Sequence, residues 1–185
     1  MINDITKDAE DRMKKCVASA EAAFSRVRTG RANPAILEGV RVSYYGSSTL
    51  LSQVANIGME DSRTLTVQPW EKNLIPEVEK AIINAGLGLN PSTAGMIVRV
   101  PMPPLTEQTR KDLIKVVKKE AEEVRVSVRN IRRDANAALK DLLKSKSISE
   151  DEDKRAQDAI QKLTDRYIEQ IEKLLAKKET DLMEV

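Results

Sequence analysis

All seven glycines of this 185-residue chain lie between Gly30 and Gly95, and all seven prolines between Pro34 and Pro104. Glycine and proline interrupt a helix more strongly than any other residue, at about 1 and 3 kcal/mol per interior site. The chain before residue 30 and the chain after residue 104 are therefore free to form long helices. The middle must turn often.

The first stretch places Ile2, Ile5, Ala9, Met13, Cys16, Ala20, Phe24 and Val27 at steps of three and four, which is one apolar helical stripe. Gly30 follows as the expected stop. After Pro103 and Pro104, Thr106 is the expected N-cap of a helix running to about Lys144. The segment S-K-S-I-S-E-D-E comes next, and Ser149 with Glu152 has the spacing of a capping box. A third helix follows, with Ala156, Ile160, Leu163, Tyr167, Ile171 and Leu174 on one face.

The middle reads differently. Val40–Gly46 and Arg63–Pro69 alternate and hold β-branched or aromatic residues, and Met96–Pro101 continues the pattern. These are expected strands, while Pro76–Gly86 is an expected short helix closed by glycine. The expected fold is α+β: an elongated three-helix bundle from residues 1–30 and 105–185, with a small β/α/β domain, residues 31–104, inserted into it. Two crossings of chain, after Gly30 and at Pro103-Pro104, join the parts. They favour a hinge of restricted flexibility, the alternative being a rigid packed interface.

Composition removes several kinds of chemistry. There is no histidine and one cysteine. Ser-His and Cys-His nucleophile pairs, imidazole acid–base work and an internal disulfide are excluded, and a zinc site would need carboxylates alone. No metal and no cofactor is expected. The N-terminus M-I-N-D-I-T-K-D-A-E has no apolar signal core, and no apolar run approaches the roughly 18 residues of a membrane span. A soluble cytoplasmic protein is expected.

Net charge is only +2, but it is unevenly placed: residues 105–145 carry eleven basic and seven acidic side chains. Within them, V-R-V-S-V-R-N-I-R-R-D-A-N (residues 124–136) opens with the apolar–polar alternation of a strand. Taken as helix, however, Arg125, Arg129, Arg132 and Arg133 fall within an arc of about 100°. Lys111, Lys118 and Lys140 project onto the same arc, and Leu113, Val117, Val124, Val128, Ile131, Ala135 and Leu142 onto a neighbouring one. Asp112, Glu123, Asp134 and Asp141 take a third. Only a helix explains this sorting.

The basic stripe from Lys111 to Lys140 is then about 43 Å long. One reading is a solvated surface laced with i,i+4 ion pairs. The other is a rod that binds the backbone of structured nucleic acid. Arginine at its centre favours the second, since its planar fork matches phosphate oxygens, and the acids, Glu122 excepted, avoid this face. No aromatic residues are interleaved, which argues against stacking on single-stranded bases.

Other segments yield less. G-L-G-L-N-P (Gly86–Pro91) lacks the third glycine and the helix start of a phosphate loop and reads as a turn. E-D-S-R (Glu60–Arg63) reads as a turn before a strand. Trp70 is either core or an exposed anchor. Of Tyr44 and Tyr45, a strand would turn one ring in and one out. Cys16 reads as a packed thiol on an apolar face.

Seven segments together carry a family resemblance. They are R-T-G-R-A-N-P (Arg28–Pro34), Y-Y-G (Tyr44–Gly46), E-D-S-R-T-L (Glu60–Leu65), G-L-N-P (Gly88–Pro91), P-P-L-T-E-Q-T-R-K (Pro103–Lys111), V-R-N-I-R-R-D-A-N (Val128–Asn136) and I-S-E-D-E (Ile148–Glu152). In this order and spacing the chain resembles bacterial ribosome recycling factors along its whole length. The resemblance implies an L-shaped, two-domain, non-catalytic protein. It also implies action after termination: with elongation factor G and GTP hydrolysis by that factor, the ribosome carrying spent mRNA and deacylated tRNA is split into subunits. The implied partners are the large ribosomal subunit, through 23S ribosomal RNA, and elongation factor G, with no membrane; a monomer is expected because the stripe offers no second apolar face.

By resemblance, Arg110, Arg129 and Arg132 match family arginines implicated in binding ribosomal RNA. Lys111, Lys118, Arg125 and Arg133 join them from the stripe. Gly30, Arg31, Pro103, Pro104 and Leu105 match the family hinge. The rival class is a coiled-coil scaffold whose stripe pairs with an acidic protein partner. A carboxylate- or lysine-dependent enzyme is a third class, which would need a polar cluster in the small domain that the sequence does not display.

Overall fold

The computed structural model describes residues 1–184. They form two compact units. One comprises Met1–Phe24 and Ile114–Thr180; the other comprises Ser25–Leu113 together with the residues from Asp181 on. The chain is α+β, and residues 124–136 are helical throughout.

The first unit is built from helices α1 (Ile2–Ser25), α3 (Glu107–Lys144, from Ile114 on) and α4 (Glu150–Met183, up to Thr180). Polar contacts tie every pair of them. Arg12 of α1 reaches Asp134 of α3 at 3.1 Å, Arg166 of α4 reaches Glu10 of α1 at 2.8 Å, and Arg125 of α3 binds Glu172 of α4. Between them lies an apolar core. Met13, Val128, Leu139, Ile160 and Ile171 are fully buried, and Ala9, Ala20, Ile131, Ala135, Ala156 and Tyr167 nearly so. Full burial of such an aliphatic side chain contributes about 1.5–3 kcal/mol, so this stripe dominates the stability of the bundle. The expected stripes hold, with Leu113, Val124, Leu142, Leu163 and Leu174 half-buried at their margins.

Local caps set the helix starts. Thr106 Oγ1 accepts the Thr109 N–H at 3.1 Å. Ser149 Oγ accepts the Glu152 N–H at 3.1 Å while Glu152 Oε1 accepts the Ser149 N–H at 3.4 Å, the reciprocal capping box. The end of α1 differs from expectation. It stops at Ser25, five residues short of Gly30. The reason is long-range: Arg28 Nη2 donates to the Pro103 carbonyl at 2.5 Å, and the Ala32 N–H donates to the Ser62 carbonyl at 2.7 Å. These bonds draw the backbone out of helical register before the glycine is reached.

The second unit holds a hairpin, β1 (Arg41–Tyr44) and β2 (Ser47–Leu50), and a four-stranded antiparallel sheet. That sheet is formed by β3 (Ala55–Asp61), β4 (Thr64–Pro69), β5 (Ser92–Ala94) and β6 (Ile97–Pro101) in the order β3-β4-β6-β5. Leu65 pairs with Val100 and Val67 with Val98, so all four fully buried side chains share one face. Val78 and Ile82 of α2 (Ile75–Asn84) are buried in the same core. The expected strands and short helix are present; β2, β3 and β5 were not foreseen.

Gly86–Pro91 is a turn segment, with Gly86 and Gly88 at φ 72° and 70°. Asp61 closes the β3–β4 turn by accepting the Arg63 N–H at 2.8 Å. That bond, foremost among several, holds the Asp61 carboxyl below its ordinary pKa. Cys16 is half-buried and burial raises its thiol pKa, the behaviour of a packed thiol.

Candidate nucleic-acid interface

Within the bundle the arginines of α3 lie beside the seam with α4. The two helices run antiparallel, as the contacts Lys118–Glu179, Arg125–Glu172 and Arg132–Gln161 require. This seam divides the stripe into side chains the fold has already used and side chains it has not.

Arg125 belongs to the first kind. Its side chain is only 17% exposed, its Nε binds Glu172, and its Nη1 donates to Glu122 at 2.8 Å. The Glu172 hydrogen bond, more than the burial that opposes it, raises its pKa further above the ordinary arginine value. Arg129 shares Glu122 at 3.5 Å but is 44% exposed. Lys118 reaches Glu179 at 3.9 Å and remains largely exposed. The expectation that acids avoid this face, Glu122 excepted, is therefore incomplete: Glu172 and Glu179 come onto it from α4.

Arg132 has a different partner. Its Nη1 donates to the neutral Gln161 Oε1 at 3.0 Å, which orients the guanidinium without cancelling its charge. Among the described residues, Arg133 and Lys140 make no ion pair. The same holds for Lys115, Lys119 and Lys144, which the stripe argument passed over. They lie on the outward flank of the arc. Lys115, Lys119 and Lys144 have acids three or four residues away (Asp112, Glu122 and Glu123, Asp141), whereas Arg133 and Lys140 have none, and that spacing is the sequence signal for these two.

Arg110 and Lys111, in the first turns of α3, group with the second unit. Arg110 is half-buried; its Nη1 donates to the Met183 carbonyl at 3.3 Å while its buried Nε has no partner. Lys111 is exposed and reaches Glu107 at 3.1 Å. Near Arg110, Gly30, Arg31, Pro104 and Leu105 line a cleft of about 400 Å³. Arg31 reaches Glu184 at 3.3 Å, Leu105 is buried, and the Pro103 carbonyl is held by Arg28. Burial lowers the Arg28 pKa. Among the described residues no group of acidic, cysteine or histidine side chains is arranged to hold a metal ion, and no helix is long and apolar enough to cross a membrane.

The architecture defines an α+β protein in which an inserted sheet unit separates the first helix of a bundle from its last two. Comparison with known proteins narrows that class. The family model for ribosome recycling factor matches residues 20–183. Ribosome-recycling factors of Marinomonas sp. (strain MWYL1) and Hahella chejuensis are 64% and 62% identical over 185 residues, and that of Legionella pneumophila (strain Paris) is 60% identical; each match covers all of both chains.

Among solved structures, a solution structure of the ribosome recycling factor superposes with a TM-score of 0.77 at 42% identity, covering 100% of this chain and 98% of the other. Models for the T. thermophilus ribosome recycling factor and the E. coli elongation factor G bound to the E. coli post-termination complex give 0.69 at 43%, covering both chains fully. The chain belongs to the ribosome recycling factor family.

Proposed function

We propose that this chain binds the post-termination ribosome and, with elongation factor G, splits it into subunits so that mRNA and deacylated tRNA are released. GTP hydrolysis is supplied by elongation factor G, and this chain contributes no catalytic group. It works as a monomer in the cytoplasm. The observation that carries the reading is the end-to-end match to ribosome-recycling factors at 60–64% identity.

The geometry supports a division of labour along α3. Arg132, Arg133 and Lys140 present charge that no acid in the bundle neutralises, on a continuous helix stiffened by two neighbours. Such a rod suits the shape and phosphate backbone of the large subunit's 23S ribosomal RNA. Arg129, Lys118, Lys111 and Arg110 contribute to the same surface, each partly engaged within the protein. Arg125 serves the bundle instead. The hinge at Gly30, Arg31, Pro103, Pro104 and Leu105 would let the motor's stroke on the small domain reach the RNA through the bundle.

The test is pelleting with large ribosomal subunits across a salt series. Wild-type binding is expected to fall steeply with salt, and Arg132→Ala to make the log–log slope shallower by about one. Weak wild-type binding at low salt, or an unchanged slope, would remove α3 from the interface. An acidic-protein scaffold would instead leave binding to isolated ribosomal RNA negligible while an acidic partner helix is retained.

A further inference from the structure

Three of the five aromatic residues of the chain stand together in the second unit: Tyr44, Tyr45 and Trp70. Tyr45 is 72% exposed and Trp70 59%. The rings of Tyr44 and Tyr45 meet edge to face, centroids 4.6 Å apart. Their hydroxyls converge on one carboxylate: Tyr44 donates to Glu71 Oε1 at 3.0 Å and Tyr45 to Glu71 Oε2 at 2.7 Å. Beside them a shallow hollow of about 180 Å³ is lined by Tyr44, Val54, Trp70, Glu71 and Leu74. The Trp70 N–H donates to the Val54 carbonyl at 3.1 Å, which fixes the backbone carrying the indole.

The backbone singles out Tyr45. It occupies the first central position of the β1–β2 turn at φ 46°, followed by Gly46 at φ 81°. That is a two-residue primed turn, a place where Asn, Asp or Gly is favoured and a bulky side chain is strained. The ring is held in the open by a conformation that stability alone would give to another residue.

We propose that Tyr44, Tyr45, Trp70 and Glu71 form a docking surface for a protein segment that presents an arginine or lysine next to an apolar residue. The proposal rests on the ribosomal reading above, in that the partner is a protein of the post-termination complex. Both Glu71 oxygens retain lone pairs beyond those taken by the tyrosines, so a guanidinium can bind them in bidentate fashion. The flanking rings supply cation–π faces, and the hollow takes the apolar neighbour. Nucleic acid fits poorly here. No lysine or arginine lines the hollow, and a phosphate would meet the Glu71 carboxylate.

The test uses the full-length chain with Trp70 replaced by the photo-cross-linking residue p-benzoylphenylalanine, bound to post-termination ribosomes with and without elongation factor G. Cross-links are expected in a protein peptide with a lysine or arginine within a few residues of the attachment point, and Glu71→Gln should lower their yield about fivefold. Cross-links to ribosomal RNA, to segments without a basic residue, or to nothing would overturn the proposal. Pelleting of the same samples separates the two readings. Chain that pellets without protein cross-links refutes the docking surface alone, whereas chain that fails to pellet refutes both.

Tyr45→Asn gives an independent check, since asparagine suits the turn. Melting temperature should hold or rise while a cross-linker at residue 70 loses yield. A fall in melting temperature with unchanged yield would make the ring purely structural.

Discussion

Arg125 on α3 and Glu172 on α4 are joined by a charge-assisted hydrogen bond, with Glu122 closing on the same guanidinium at 2.8 Å. The centre of the basic stripe is thus a strut between helices. Arg125→Ala is expected to cost about 1 kcal/mol, since Glu172 is half exposed and recovers water. In a chain of this size that lowers the melting temperature by about 2–4 °C. The salt slope of ribosome binding should stay within error of wild type, unlike that of Arg132→Ala. A shallower slope at unchanged stability would put Arg125 among the phosphate contacts.

The start of α4 depends on a reciprocal cap. Ser149→Ala leaves the Glu152 N–H without its side-chain acceptor and should destabilise the bundle by about 1 kcal/mol. Ser149→Asp should restore most of it, since aspartate caps and also complements the helix dipole. Urea unfolding followed by far-ultraviolet circular dichroism reads both.

Glu10 gives the bundle an acid-sensitive contact. Tyr167 donates to Glu10 Oε1 at 3.1 Å and Arg166 reaches the same oxygen at 2.8 Å. The Tyr167 bond is the largest influence and outweighs the opposing effect of burial; with further help from Lys14 and Arg166 it sets the Glu10 pKa below its ordinary value of 4.5. The folded form thus holds its proton less tightly than the unfolded chain. Stability from this contact is fully present above the ordinary value and is lost as pH falls through the lower, folded one. Glu10→Gln should lower stability at neutral pH and flatten the acid limb of the stability–pH curve below about pH 4.5. An acid limb as steep as wild type would show that the contact does not contribute.

Trp70 is the only tryptophan, and it lies in the second unit. Its fluorescence therefore follows that unit, while helical circular dichroism follows mainly the bundle. Leu65→Ala, emptying a fully buried site of the sheet, should cost about 2–5 kcal/mol and move the fluorescence transition to lower urea. Leu139→Ala in the bundle should move the dichroism transition instead. Coincident shifts of both probes in both variants would mean that the two units unfold as one.

What the sequence disclosed divides along the range of the interactions. Thr106, Ser149 and Glu152 could be read because a cap is complete within four residues. The α3 core face could be read because helical period sorts Val117, Val128 and Ile131 on its own. The strands β2 and β3, S-S-T-L and A-N-I-G-M-E-D, could not, for they lack alternation and owe their form to partners. The end of α1 was hidden for the same reason, being set by Pro103 and Ser62. The stripe on α3 was legible, but its acid partners were not. Glu172 and Glu179 lie about 50 residues on or more, and only packing of α4 brings them to Arg125 and Lys118. Tyr45 escaped too, because nothing local marks it as the turn residue and not the last of a strand.

The order of segments in the bundle has a consequence for how the chain is made. Met1–Phe24 is synthesised well before residues 114–180, with which it forms one compact unit. At about 5–20 residues per second, α1 waits roughly 8–30 s for its partners to be translated. Most of the sheet unit, Ser25–Leu113, emerges within that interval and can fold in the meantime. The nascent chain thus carries an amphipathic helix with its apolar side bare through most of its synthesis, so shielding by a chaperone or the ribosome surface would matter most there.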